Sequence, residues 1–319
     1  MRKKCIRIIF KAVFFLAVFG GTGYAAEAPK LTVIATIFPL YDFAREIGKD
    51  KVAVRKLLPP GVEAHTFEPK PQDIALISRA DIFIYTGRYM EPWVEDLLKG
   101  VAHKDLAVVD TSKGIELMDH AGHEDAAEHR QTEGAGSHPE SAGKDPHIWL
   151  NLAYAQKMAQ TIAEALAQKD PQNKDFYLNN AGRYQAKLAD LDARLKTTLS
   201  TCKIKTIVYA GHFAFGYFAQ RYGLKHVSPY RGFSPDAEPS PKSIKELIDM
   251  IKKTGAKYIY YEELIDPRVA KVISEETGAQ LMLLHGAHNV SKEELAQGVT
   301  FLSIMEEDLK KLRQGLECQ

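Results

Sequence analysis

The sequence is poor in the features that mark several common classes. It has three cysteines in 319 residues, too few and too scattered for a disulfide-built scaffold or a CxxC metal knot. No HExxH, GxSxG or GxGxxG occurs, so the zinc-protease helix, the nucleophile elbow and the dinucleotide loop are all absent. The apolar run at residues 12–19 is well short of the ~20 residues that a membrane span needs. A net charge of +1 implies no nucleic-acid or other polyanionic partner. Acidic residues are missing altogether from the first 26 positions.

That last absence is informative. Residues 1–26 join a basic start, MRKKCIRIIFK, to the apolar run and then to a small-residue exit at 20–26. This pattern reads as a secretory signal cleaved near Ala25 or Ala26, with Ala28 as a further option. An uncleaved anchor is the alternative. No cysteine stands at the exit and Cys5 is too early for a lipid anchor. Removing the five basic groups of this segment leaves 37 basic against 41 acidic side chains, a net charge of −4. Two cysteines remain, Cys202 and Cys318, and an even pair in an exported chain suggests one disulfide. Two separated thiols are the alternative.

What the chain does have is a regular alternation of strand and helix patterns. β-like runs at 31–35, 52–58, 81–85 and 106–109 alternate with helical spacing at 38–48, 72–79 and 93–99. Residues 119–145 then carry His120, His123, His129 and His138 among acids, glycines and serines, a composition that does not build a core. Helices follow at 152–168 and at 172–199. The second carries the stripe Tyr177, Ala181, Tyr184, Leu188, Leu191, Leu195, Leu199, at a length of roughly 40 Å.

The same grammar then repeats. Strands are expected at 206–210, 224–227, 258–261 and 280–284. Helices are expected at 213–222, 243–254, 267–277 and 292–312. The expected fold is therefore α/β, with two lobes of parallel sheet flanked by helices and joined by one long rigid helix. The domain boundaries are 27–171 for the first lobe, 172–200 for the linking helix and 201–319 for the second lobe.

Four distant histidines each sit in a loop after an apolar run: His65 in PPGVEAHTFEP, His147 in KDPHIWL, His212 in VYAGHFAFG and His285 in LMLLHGAH. Ligands of open α/β sheets bind beyond the carboxyl ends of the strands, so all four can face one cleft. Imidazole is the commonest protein ligand for zinc, and four of them fill a tetrahedral shell. His288 competes with His285 for the fourth place, whereas His103 and His226 read as ordinary histidines. Glu68, Asp145 and Glu262 are candidates to accept the far ring N–H of a ligand, with capping or a surface charge as the alternative.

The segments PPGVEAHTFEPKPQD, DPHIWLNL, YAGHFAFGYFAQRYGL, EPSPKSIKELI and YEELIDPRVAKVISEETGA, in that order, resemble the periplasmic metal-binding proteins of zinc or manganese ABC importers, the ZnuA/TroA-like family. The resemblance spans nearly the whole chain after residue 26. It implies two α/β lobes on one long helix, with His65, His147 and His212 matching the family's histidine ligands. The histidine-rich stretch matches an insertion typical of the zinc branch.

Two positions depart from the family pattern. Its fourth ligand is often a strand-end carboxylate, where this chain reads Leu284-His285-Gly286. Its zinc branch can carry a glutamate directly before the first ligand, where this chain has Ala64, with Glu63 one residue earlier. An all-imidazole shell suits zinc better than manganese, which prefers oxygen.

The expected function is thus that of a monomeric periplasmic solute-binding protein, not an enzyme. It captures one Zn2+ tightly and hands it to an inner-membrane ABC permease, while the histidine-rich loop collects weaker equivalents. Manganese or iron capture by the same fold is the alternative, and a zinc hydrolase a remote one. Small local rearrangements should accompany release, and affinity should fall below about pH 6.

Overall fold

A computed structural model describes residues 30–101, 105–119, 143–230 and 239–319. The signal-like segment, His103 and the loop histidines His120, His123, His129 and His138 lie outside the described residues.

The first half builds β1 (Leu31–Ala35), α1 (Phe38–Gly48), β2 (Val52–Lys56), α2 (Pro71–Ile77), β3 (Ile82–Tyr85), α3 (Val94–Lys99) and β4 (Ala107–Asp110). The strands pair in parallel in the order β2-β1-β3-β4. Val33, Ile34 and Ala35, and likewise Ile82, Phe83 and Ile84, are buried on successive positions. Both faces of the sheet are therefore covered, as continuous apolar strands require.

α4 (Leu152–Lys169) and α5 (Lys174–Ser200) follow, separated by a short 3-10 turn at Pro171–Asn173. The second half adds β5 (Thr206–Val208), α6 (Gly216–Tyr222), β6 (Lys225–Val227), α7 (Pro241–Thr254), β7 (Tyr258–Tyr261), α8 (Arg268–Thr277), β8 (Gln280–Leu283), α9 (Lys292–Ala296) and α10 (Phe301–Gly315). β5 pairs with β6 and β7 with β8, all in parallel, and a single Tyr209–Tyr260 bridge joins the two pairs. The resulting order, β6-β5-β7-β8, repeats that of the first sheet.

The expected elements are present with two instructive differences. The segment read as one helix over 292–312 is two helices, because Thr300 opens a new capping box with Ser303 and so starts α10 afresh. The expected helix at 213–222 begins only at Gly216, which leaves 213–215 in the loop that carries His212.

The α5 stripe is buried at every expected position. It packs along α4 and also meets α1, α6 and α10. Its side chains belong to one apolar cluster that runs from Val33 to Leu316. The interior is therefore continuous across the long helix, with smaller clusters under α2 and α3 and under α7 and α8. Asp42 of α1 adds a polar tie by accepting from the Phe301 amide at the start of α10, at 2.9 Å.

A Cys202–Cys318 disulfide joins the end of α5 to the C-terminus. A bridge closing a loop of this order stabilises by about 4–5 kcal/mol on the chain-entropy account.

Candidate metal centre

Four imidazoles converge above the carboxyl ends of the strands: His65, His147, His212 and His288. One ring nitrogen of each lies within 4.8 Å of the others. His65 comes from the loop between β2 and α2, and His147 from the turn just ahead of α4. His212 comes from the loop between β5 and α6, and His288 from the loop between β8 and α9. The last three are buried, whereas His65 is half-buried.

The four rings fill the cavity against one another. His65 Nε2 stands 3.1 Å from His147 Nε2, and the His147 and His288 ring centres are 4.9 Å apart, edge to face. Nε2 of His212 and Nε2 of His288 are buried with no hydrogen-bond partner. Buried lone pairs without partners are costly, and a metal ion satisfies such groups. Burial, together with the neighbouring rings, holds His65 and His147 well below the ordinary histidine value, so both are neutral and ready to donate a lone pair.

Three of the rings are oriented from behind by a buried carboxylate. His147 Nδ1 lies 2.8 Å from Asp145 Oδ1, which also accepts from the His147 amide at 2.9 Å. His212 Nδ1 pairs closely with Glu262, whose other oxygen accepts from the His212 amide at 3.1 Å. His288 Nδ1 lies 3.2 Å from Glu263 Oε1. Such partners fix the tautomer and turn Nε2 toward the metal. Burial disfavours a charged His212, but the Glu262 carboxylate outweighs it and raises that ring above the ordinary value.

The motif GHFAFG has a spatial reason. A Cβ at Gly211 would meet Glu262 Oε1 at 2.5 Å, and one at Gly216 would meet Asp145 Oδ2 at the same distance. Glycine at both ends of this loop makes room for the two acids that orient His212 and His147.

At the fourth position the structure differs from the sequence expectation in which histidine meets the other three. His285 does not join the cluster, and His288, its competitor, does. His285 Nδ1 is 3.5 Å from Glu263 and its Nε2 is 3.6 Å from Glu294, while its amide donates to Asp308 at 3.0 Å. Burial opposes a charged ring there, but Glu263, Glu294 and Asp308 together push His285 up to about 9. The Ala287 amide donates to Nδ1 at 2.9 Å, so that nitrogen accepts there. The acids around the ring favour its charged form, while its Nδ1 lone pair is taken by the Ala287 amide rather than turned to the cluster.

Ala287, at φ +59, makes the tight turn between the two rings, and Nδ1 of each faces Glu263 Oε1, at 3.5 Å for His285 and 3.2 Å for His288. Trp149 Nε1 holds that turn through Gly286 O at 2.8 Å, and the Phe38 amide holds it through His288 O at 3.1 Å.

Among the candidates for orienting acids, Asp145 and Glu262 stand behind His147 and His212 as described. Glu68 is exposed in the approach to α2. That helix start is instead closed by Asp73, which accepts from the Lys70 amide at 2.7 Å. Glu63 turns back to accept from the Thr66 amide at 3.0 Å. Glu263 was missed by the sequence reading, although its place directly after Glu262 at the end of β7 was a visible signal. His226 stacks on Phe213 and is not one of the four.

Comparison with known proteins agrees with this geometry. The family described as ZnuA, zinc-uptake complex component A, periplasmic, matches residues 33–315. The high-affinity zinc uptake system protein ZnuA of Bacillus subtilis (strain 168) is 39% identical over 91% of this chain and 89% of its own length. The zinc-binding lipoprotein AdcA of Streptococcus pneumoniae is 35% identical over 89% of this chain, but the match spans only 56% of AdcA. In structure, the Zn(II)-bound ZnuA-like domain of Streptococcus pneumoniae AdcA superposes with a TM-score of 0.75 at 32% identity, over 91% of this chain and all of that domain. With a family match across most of its length, four clustered imidazoles and carboxylates behind three of them, this chain belongs to the ZnuA family of zinc-uptake components.

Proposed function

We propose that this chain captures a zinc ion outside the inner membrane and delivers it to an ABC permease. The four convergent ring nitrogens carry the reading. Zinc–imidazole bonds of 2.0–2.1 Å in a tetrahedron place neighbouring nitrogens about 3.3–3.4 Å apart. The 3.1 Å His65–His147 separation and the 4.8 Å limit on all pairs put the rings within a small contraction of that shell. His65, His147, His212 and His288 are the ligands in this reading.

A shell of four neutral imidazoles, with no oxygen donor, favours zinc over manganese. It is closed by protein, so no coordination position is left for a substrate, as capture requires and hydrolysis does not allow. The bound ion brings two positive charges beside Asp145, Glu262 and Glu263, which offset them in a buried setting.

The basic, apolar, small-residue start of the chain supports export through a cleavable signal at 1–26. The histidines at 120, 123, 129 and 138 act in this reading as a weak collector feeding the cage. Deleting residues 120–140 should remove weak zinc equivalents and spare the tight one, and unchanged stoichiometry would sink the collector role.

Calorimetric titration of the metal-stripped protein tests the main reading. One tight zinc site with negligible manganese binding is expected. Equal or tighter manganese binding would overturn it.

A further inference from the structure

His65 differs from the other three imidazoles of the cage. Among the described residues the hydrogen-bond contact shown for its ring is with His147 Nε2 and none is shown with a carboxylate, and it stands on a half-exposed loop. Its orientation must therefore come from the path of that loop.

The loop is held by one side chain from the opposite sheet. Asn289, directly after His288, is fully buried. Its Nδ2 donates to Pro59 O at 2.6 Å and to Val62 O at 2.8 Å, three residues ahead of His65. Its Oδ1 accepts from the Val290 amide at 2.9 Å and from Lys56 Nζ at the end of β2. The Gly61 amide reinforces the junction by donating to Val290 O at 2.9 Å. Every hydrogen-bonding group of the Asn289 side chain is used, and its partners lie more than 220 residues away except for the neighbouring amide.

We propose that Asn289 is the positioning residue for His65: its side-chain amide clasps the His65 loop to the His288 loop and sets the spacing of those two ligands. It does for His65, through backbone carbonyls, what Asp145, Glu262 and Glu263 do for the other rings through Nδ1. The proposal rests on the zinc-cage reading. It goes beyond that reading by naming an uncharged residue that does not touch the metal yet controls how well the shell is preformed.

A double-mutant cycle tests it, with zinc affinity measured by chelator competition on the full chain for wild type, Asn289→Ala, His65→Ala and the double variant. Losing an outer support typically weakens metal binding by about 10- to 100-fold. Asn289→Ala should therefore bind zinc at least about tenfold more weakly. In the His65→Ala background it should cost less than about twofold more, because the residue it positions is already gone. The visible spectrum of the cobalt-loaded protein should lose tetrahedral character in Asn289→Ala and change no further in the double variant.

Unchanged affinity in Asn289→Ala, or effects that multiply in the double variant, would overturn the clasp. Asn289→Asp keeps the side-chain volume and the contact with Lys56 while removing both donations, so it serves if the alanine variant does not fold, with the same expected loss. A wild type that binds no zinc, or a His65→Ala variant equal to it, would instead sink the cage itself.

Discussion

His285 and His288 lie three residues apart on one loop, are equally buried and share an acid, Glu263. Their chemistry is nonetheless opposite. His288 meets Glu263 through Nδ1 and leaves Nε2 bare among three other imidazoles. His285 meets the same Glu263 oxygen with Glu294 and Asp308 also around it, and these acids push its ring up to about 9 against burial. His285, with His288 and the Gly286 amide, in turn holds Glu263 well below the usual carboxylate range against the opposing effect of burial. One carboxylate behind an imidazole prepares it for metal, whereas several around it favour its charged form.

The comparison breaks most sharply at the two rings themselves. His288→Ala should weaken zinc binding by more than the roughly 100-fold that loss of an outer partner costs. His285→Ala should keep one stoichiometric site, weaker by no more than about tenfold, because it disturbs only the counter-ion of Glu263. Competition titrations of the two variants side by side read this directly, and the reverse order would restore His285 as the ligand.

Glu263→Gln touches both sides at once. Zinc affinity should fall about 10- to 100-fold. The His285 ring, relieved of its nearest acid, should titrate below its present value of about 9. Affinity together with the histidine NMR titration gives both numbers from one variant. A lowered His285 value with unchanged zinc affinity would separate the two roles and contradict the shared-acid account.

Protons should compete with zinc chiefly at His212. Its value in the metal-free protein is raised by Glu262, and zinc requires the neutral ring. Affinity should therefore fall by about tenfold per unit as pH drops through and below the ordinary histidine range, with about one proton released on binding. His65 and His147, held low by burial and neighbouring rings, should add to the slope only in stronger acid. Calorimetry in buffers of different ionisation enthalpy counts the proton, and a flat profile down to pH 5 would exclude this assignment.

The smallest effect belongs to Glu294. It borders His285 and closes the capping box of α9 with Ser291, but it reaches no ring of the cage. Glu294→Gln should lower the His285 value and leave the capping box closed, since glutamine still accepts from the Ser291 amide, while zinc affinity moves by less than about threefold.

The sequence made the larger architecture legible because periodicity and punctuation agreed along it. The α5 stripe at Tyr177, Tyr184, Leu188, Leu191, Leu195 and Leu199, and the strand and helix order around it, follow from side-chain spacing alone. That His65, His147 and His212 meet in one cluster was legible because each is the single histidine of its own motif. The fourth position was not, since the strand end LMLLHGAH offers two histidines whose directions depend on the Ala287 turn and on acids at positions 263, 294 and 308. Asn289 was equally hidden, because its partners on residues 56, 59 and 62 meet it only after both sheets have formed. Glu68, read as a candidate to orient a ligand with capping or a surface charge as the alternative, is exposed, and Asp73 closes the start of α2.

The most direct measurement is an anomalous-scattering map of zinc-loaded crystals recorded at the zinc edge. The account predicts one strong peak about 2.0–2.1 Å from a ring nitrogen of each of His65, His147, His212 and His288. A peak coordinated by His285, or a cage left without metal in zinc-loaded protein, would contradict it.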